Sequence, residues 1–178
     1  MTHLDLDVIW RTLPFPNDKL LDMRRAHLWA TVALMALFTY NEVYRWVPLG
    51  RWNWQFAWPV NNDQFYPDLV IGFFLVWIAW SFARVRRVSM WIGTSLLALW
   101  TVVHLFDWWI PYAKNAPENL GRFSFYSRRT QILPVIDNHY PPDAGHAILD
   151  FLLFPTFALA LTATIANLRT DRPSPNAF

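Results

Sequence analysis

The sequence predicts an all-α integral membrane protein, a four-transmembrane-helix antiparallel bundle with both termini cytoplasmic and a long outer loop between helices 3 and 4. Three observations carry this. Only 16% of the 178 residues are charged while 54% are hydrophobic, against about 25% charged in soluble domains. Four apolar stretches are long enough to cross a bilayer. The chain holds 12 Trp and is 18% aromatic, which suits aromatic belts at both membrane interfaces.

Residues 1–24 read as a cytoplasmic arm that is acidic, broken by Pro14 and Pro16, and without the apolar core of a cleavable signal peptide. Asn17 or Asp18 is placed to cap a helix running into the first span, 26–46, which then serves as an uncleaved anchor. The Trp- and Asn-rich connection after it suits a loop lying on headgroups. The second span, 67–83, opens with Pro67 and Asp68, residues at home in a first helical turn. Arg84, Val85, Arg86 and Arg87 form a short basic connector that turns the chain back. The third span, 88–112, is expected to stop at Pro111. Residues 113–145 are too long and polar for a bare connector. The fourth span, 146–168, carries Asp143 as its N-cap and Pro155 as an expected kink. Residues 169–178 read as a disordered cytoplasmic tail, and no repeat is visible.

Orientation follows from the basic residues. Arg11, Lys19, Arg24, Arg25, Arg84, Arg86, Arg87, Arg169 and Arg172 fall on one side and outweigh those opposite, which places that side in the cytoplasm and the protein in the cytoplasmic (inner) membrane of a bacterium. The formal charge of +2 is too small for nucleic acid. The absence of Cys removes disulfides, thiol redox relays, thiolate metal sites and covalent c-type haem.

Ionisable side chains at membrane depth are costly and usually functional. In the expected topology Glu42, Asp68, His104, Asp107, His146 and Asp150 share the outer third of the bilayer. His104 with Asp107 (i, i+3) and His146 with Asp150 (i, i+4) each lie on one helix face. Inward-facing carboxylates and imidazoles are how helical bundles build metal centres. Each residue has a plainer reading beside this. Asp68 suits a helix start, Glu42 can pair with Arg45, His146 can sit near the cap, and Asp107 can be wet at the surface. Asp137 and His139 read as turn residues before Pro141 and Pro142, or as extra ligands folded over the bundle mouth. His3 and His27 lie on the far side.

Three functional classes fit. The first is a metal-dependent enzyme, a hydrolase or oxidase of a lipophilic substrate, with zinc, iron or manganese held by His104, Asp107, His146 and Asp150. Glu42, Asp107 and Asp150 would be its catalytic carboxylates. Trp100, Trp108, Trp109, Tyr40, Arg122, Arg128 and Arg129 would hold the substrate, the arginines through a headgroup. The second is a metal-free terpenoid or sterol isomerase or cyclase, using the same carboxylates for acid–base work and the aromatic faces for a cation. The third is non-catalytic: a membrane-protein partner, a pigment or haem holder with His104 and His146 as axial ligands, or an ion or proton pathway. Haem is the weaker of the cofactors, because carboxylates crowd the two histidines. The partners in every case are the bilayer and a lipophilic small molecule or neighbouring membrane proteins.

Overall fold

The computed structural model describes residues 18–53, 65–114, 127–137 and 141–169. Four long helices form it, with no sheet among the described residues. They are α1 (Asp18–Trp46), α2 (Phe65–Ala83), α3 (Arg87–His104) and α4 (Ala144–Arg169). The third helix continues from α3 through a π-helical turn (Leu105–Trp109) into a last α-helical turn (Ile110–Lys114). A short 3₁₀ turn, Gly50–Trp52, follows α1. Phe65–Ala83, Arg87–Lys114 and Ala144–Leu168 are each long and apolar enough to cross a membrane. The first helix is longer but carries charge towards both ends.

Helix α1 starts at Asp18 and so takes in residues assigned to the arm. Helix α2 starts two residues before Pro67, which leaves Pro67 in the first turn, where its missing N–H costs nothing. The expectation that Pro111 ends the third span is not met, since the helix runs through it to Lys114. The turn before it widens, with the Ile110 N–H donating to the Leu105 carbonyl five residues back. That widening gives the pyrrolidine ring room where a straight helix would meet a clash. Helix α4 is likewise unbroken through Pro155. Beside it Thr156 Oγ1 donates to the Leu152 carbonyl at 2.6 Å, tying down a turn that proline deprives of a donor.

The shared interior is made of Ala30, Leu34 and Leu37 of α1, Leu75, Ile78 and Phe82 of α2, Met90 and Leu97 of α3, and Leu153, Ala160 and Ala163 of α4. Alanines at the α1 and α4 positions let backbones come close, which is how helices associate where lipid is as apolar as leucine. Thr94 and Thr164 add a hydroxyl–hydroxyl hydrogen bond of 2.9 Å between α3 and α4. Outward-facing Leu28, Trp29 and Val32 on α1 and Phe73 on α2 are exposed, a surface suited to acyl chains rather than water.

The α2–α3 turn holds Val85 at φ 52°, a left-handed conformation that penalises a β-branched residue. Arg86 next to it lays its guanidinium over Trp80, 4.3 Å from the ring centre. Val85→Gly is expected to raise stability by about 0.5–1 kcal/mol, the relief of that conformation less glycine's extra chain entropy. Thermal unfolding in detergent measures it, and a lower melting temperature would mean the turn is not strained.

Candidate functional site: two imidazole–carboxylate pairs

The end of α1, the start of α2, the π turn and the start of α4 bring most of the sequence-predicted polar residues together, but in separate groups. The inner group is built on Asp150, which is fully buried on α4. Its Oδ1 lies 2.6 Å from His104 Nδ1, an ion-pair contact in which the two atoms are out of line for a hydrogen bond. Its Oδ2 accepts the Trp109 indole N–H at 2.8 Å. On the other side of the imidazole, Trp100 Nε1 donates to His104 Nε2 at 2.8 Å. An indole nitrogen can only donate. His104 must therefore accept at Nε2 and carry its proton on Nδ1, facing the carboxylate.

The π turn makes this geometry reachable. Residues four and five beyond His104 straddle the direction His104 points when the turn closes at i+5, whereas a regular helix would swing Trp109 away. Trp109 thus reaches Asp150, with its ring against Phe151 at 6.0 Å. Trp108 is buried against His146, ring centres 4.5 Å apart. Asp107 sits half-buried on the same turn, and it is Trp109 that the turn brings to Asp150.

The outer group is built on Asp143, which caps α4 as expected: its Oδ1 accepts the backbone N–H groups of Gly145 (2.9 Å) and His146 (3.2 Å). Oδ2 takes the His146 Nδ1 at 2.7 Å and Arg129 Nη1 at 3.4 Å. Tyr44 of α1 joins through its hydroxyl, which donates to Asp143 and accepts from Arg129. Asp143 is fully buried and Arg129 only 1% exposed. Burial by itself raises the Asp143 carboxyl, but the His146 hydrogen bond and charge together with the Arg129 guanidinium outweigh it and hold the group below the usual carboxylate range. The loop segment carrying Arg129 is fastened by Thr130, whose N–H donates to the Arg51 carbonyl and whose carbonyl accepts from Ala144. Asn53 closes α1 by donating to the Tyr44 and Val47 carbonyls, satisfying groups a helix end leaves open.

Other expectations resolve differently. Arg45 pairs with Asp68 across α1 and α2, both largely buried, instead of with Glu42. Glu42 accepts from the Trp46 indole at 2.6 Å and from Asn41 at 3.1 Å, partners on its own helix. Tyr40 donates to the Gly145 carbonyl and stacks on Tyr44. Arg129 is turned inward onto Asp143, while Arg128 is exposed and lends its carbonyl to Arg51. Asp137 is an exposed turn residue at φ 52°. Arg122, His139 and His3 lie outside the described residues.

The proposed ligand set of His104, Asp107, His146 and Asp150 is not gathered: among the described residues no three His, Asp or Glu side chains come together as a metal ion would need. The reason is pairing. His104 has taken Asp150 and His146 has taken Asp143, their rings 6.4 Å apart. The sequence reading pairs His104 with Asp107 and His146 with Asp150; the i, i+3 spacing of Asp143 and His146 and the i, i+4 spacing of Trp100 and His104 are signals it passes over, while the long reach of Arg129 and the indole of Trp109 had no signal in spacing alone.

Between α2 and α3 an almost wholly apolar crevice of about 200 Å³ is lined by Ile71, Phe74, Leu75, Ile78, Leu96, Leu97 and Trp100. Trp100 therefore joins the crevice to His104. At the other end of the site, Gly145 packs under Tyr44 so closely that an added Cβ would lie 2.1 Å from the ring. Gly72 meets only the carboxylate end of Glu42. Gly145→Ala is accordingly expected to cost about 1–3 kcal/mol or more, and Gly72→Ala less, read from melting temperatures in detergent. Equal losses would mean Tyr44 moves freely. No protein-family model matches this chain, and neither a curated protein nor a solved structure matches it.

Proposed function

We propose that the chain is a four-span protein of the bacterial inner membrane, with both termini in the cytoplasm, that performs acid–base chemistry on a lipophilic substrate. Of the three classes open to the sequence, this is the metal-free isomerase or cyclase. One observation carries it: the chain of contacts Trp100–His104–Asp150–Trp109, which begins in the wall of an apolar crevice and runs through a fully buried carboxylate to a second indole. A carboxylate at Nδ1 fixes which nitrogen holds the proton and stabilises the imidazolium that forms when Nε2 takes another. Nε2 is then a base directed at whatever displaces the Trp100 N–H. A proton taken from one position of the substrate can be returned to another, which needs no redox partner. A metal at His104 would first have to break one of these bonds. Trp109, with Phe151 and Phe154 tilted against it, adds an aromatic ring beside the pair for a developing cation.

The test compares lipid extracts of cells that make the wild-type protein, His104→Gln, or neither. A lipophilic species should rise or fall with the wild type and stay at background with the variant, while both proteins are folded by circular dichroism. A change that persists in His104→Gln, or none with the wild type, would contradict an acid–base role.

A further inference from the structure

We infer that the crevice between α2 and α3 binds a lipophilic molecule that ends in a single hydroxyl group. This rests on the reading of His104 as a proton acceptor and adds what the ligand must present to it. Among the described residues of the lining Trp100 alone has a polar side-chain atom, and that atom is already donating to His104 Nε2. A ligand that enters this bond separates one donor from one acceptor, both of which lose a partner beside walls that are apolar. An unpaired buried group carries its full desolvation cost. A hydroxyl repairs both losses with one atom, its O–H donating to His104 Nε2 and its oxygen accepting from Trp100 Nε1. A ketone or ether oxygen serves Trp100 and leaves His104 Nε2 bare. A carboxylate does the same and adds a second negative charge near Asp150. The rest of the crevice, with Phe74, Ile78 and Leu96 among its walls, offers nothing but apolar contact. It therefore fits an aliphatic, isoprenoid or aryl body and rejects a polar one.

The full-length protein in lipid nanodiscs is photolabelled with a long-chain alcohol carrying a diazirine in its tail, and the labelled peptides are mapped by mass spectrometry. Saturable label is expected on the α2 and α3 peptides that contain Phe74 and Leu96. Unlabelled dodecanol should displace it about tenfold or more readily than dodecyl methyl ether, the worth of one buried hydrogen bond. Leu96→Trp narrows the crevice from a partly exposed position and should abolish the saturable label. Equal displacement by alcohol and ether, or label that never saturates, would mean that ordinary bilayer chains fill the crevice and would overturn the inference. Hydroxyl-selective labelling without any His104-dependent lipid product would keep this site and defeat the catalytic reading. A His104-dependent product without hydroxyl selectivity would do the opposite.

Discussion

Asp143→Ala is expected to lose about 3–5 kcal/mol of stability, the largest effect of any single substitution in the site. It strips the N-cap from α4 and leaves Arg129, 1% exposed, without the carboxylate it faces. Tyr44 and His146 lose a partner in the same step. Unfolding followed in detergent measures the loss, and Arg129→Met in the Asp143→Ala background should recover part of it by removing the stranded charge. No recovery would mean that Arg129 does not depend on Asp143. The pair also sets a dependence on pH. The Asp143 carboxyl is held below its ordinary value when folded. Its contribution is therefore complete above about pH 4, the unfolded value, and is lost as pH falls through the lower folded one. Asp143→Asn should flatten the stability profile in that acid window and leave the neutral range parallel to wild type.

Asp150→Asn is expected to lower the proposed turnover by about 10²–10⁴-fold, the usual worth of a positioned acid–base group. The change is nearly isosteric, so its effect comes from hydrogen-bond polarity. One amide oxygen cannot both face His104 Nδ1 and accept from Trp109, and the amide nitrogen would meet one of their N–H groups. If the imidazole answers by moving its proton to Nε2, it then opposes the Trp100 donor. Some donor is left unmade either way, which predicts a stability loss of about 1–3 kcal/mol. Turnover of the His104-dependent species within threefold of wild type would show that Asp150 does not direct the imidazole.

The helices were legible because they depend on short-range chemistry. Long apolar runs, the Asp143 cap and the basic 84–87 turn all announce themselves within a few residues. Grouping was not legible, because it depends on which helix faces which. Six ionisable residues expected at one depth read as one centre, and the two pairs emerge only when Asp143, read as a helix cap, claims His146 and Asp150 claims His104. The π turn was hidden for a similar reason. Pro111 reads as a stop when the helix before it is assumed regular, and the widening that lets the chain continue is also what brings Trp109 to Asp150. Arg128 and Arg129 look alike in sequence, yet one is exposed and the other buried, since only the loop's docking through Thr130 separates them.

The imidazole proton of His104 is the most direct test of the account. In protein carrying ¹⁵N-labelled histidine, nitrogen-detected spectra at neutral pH should place that proton on Nδ1, with Nε2 shifted as an acceptor, and Asp150→Asn should move or divide it. A wild-type His104 protonated on Nε2, or one that Asp150→Asn leaves unaltered, would contradict the contact on which the proposed chemistry depends.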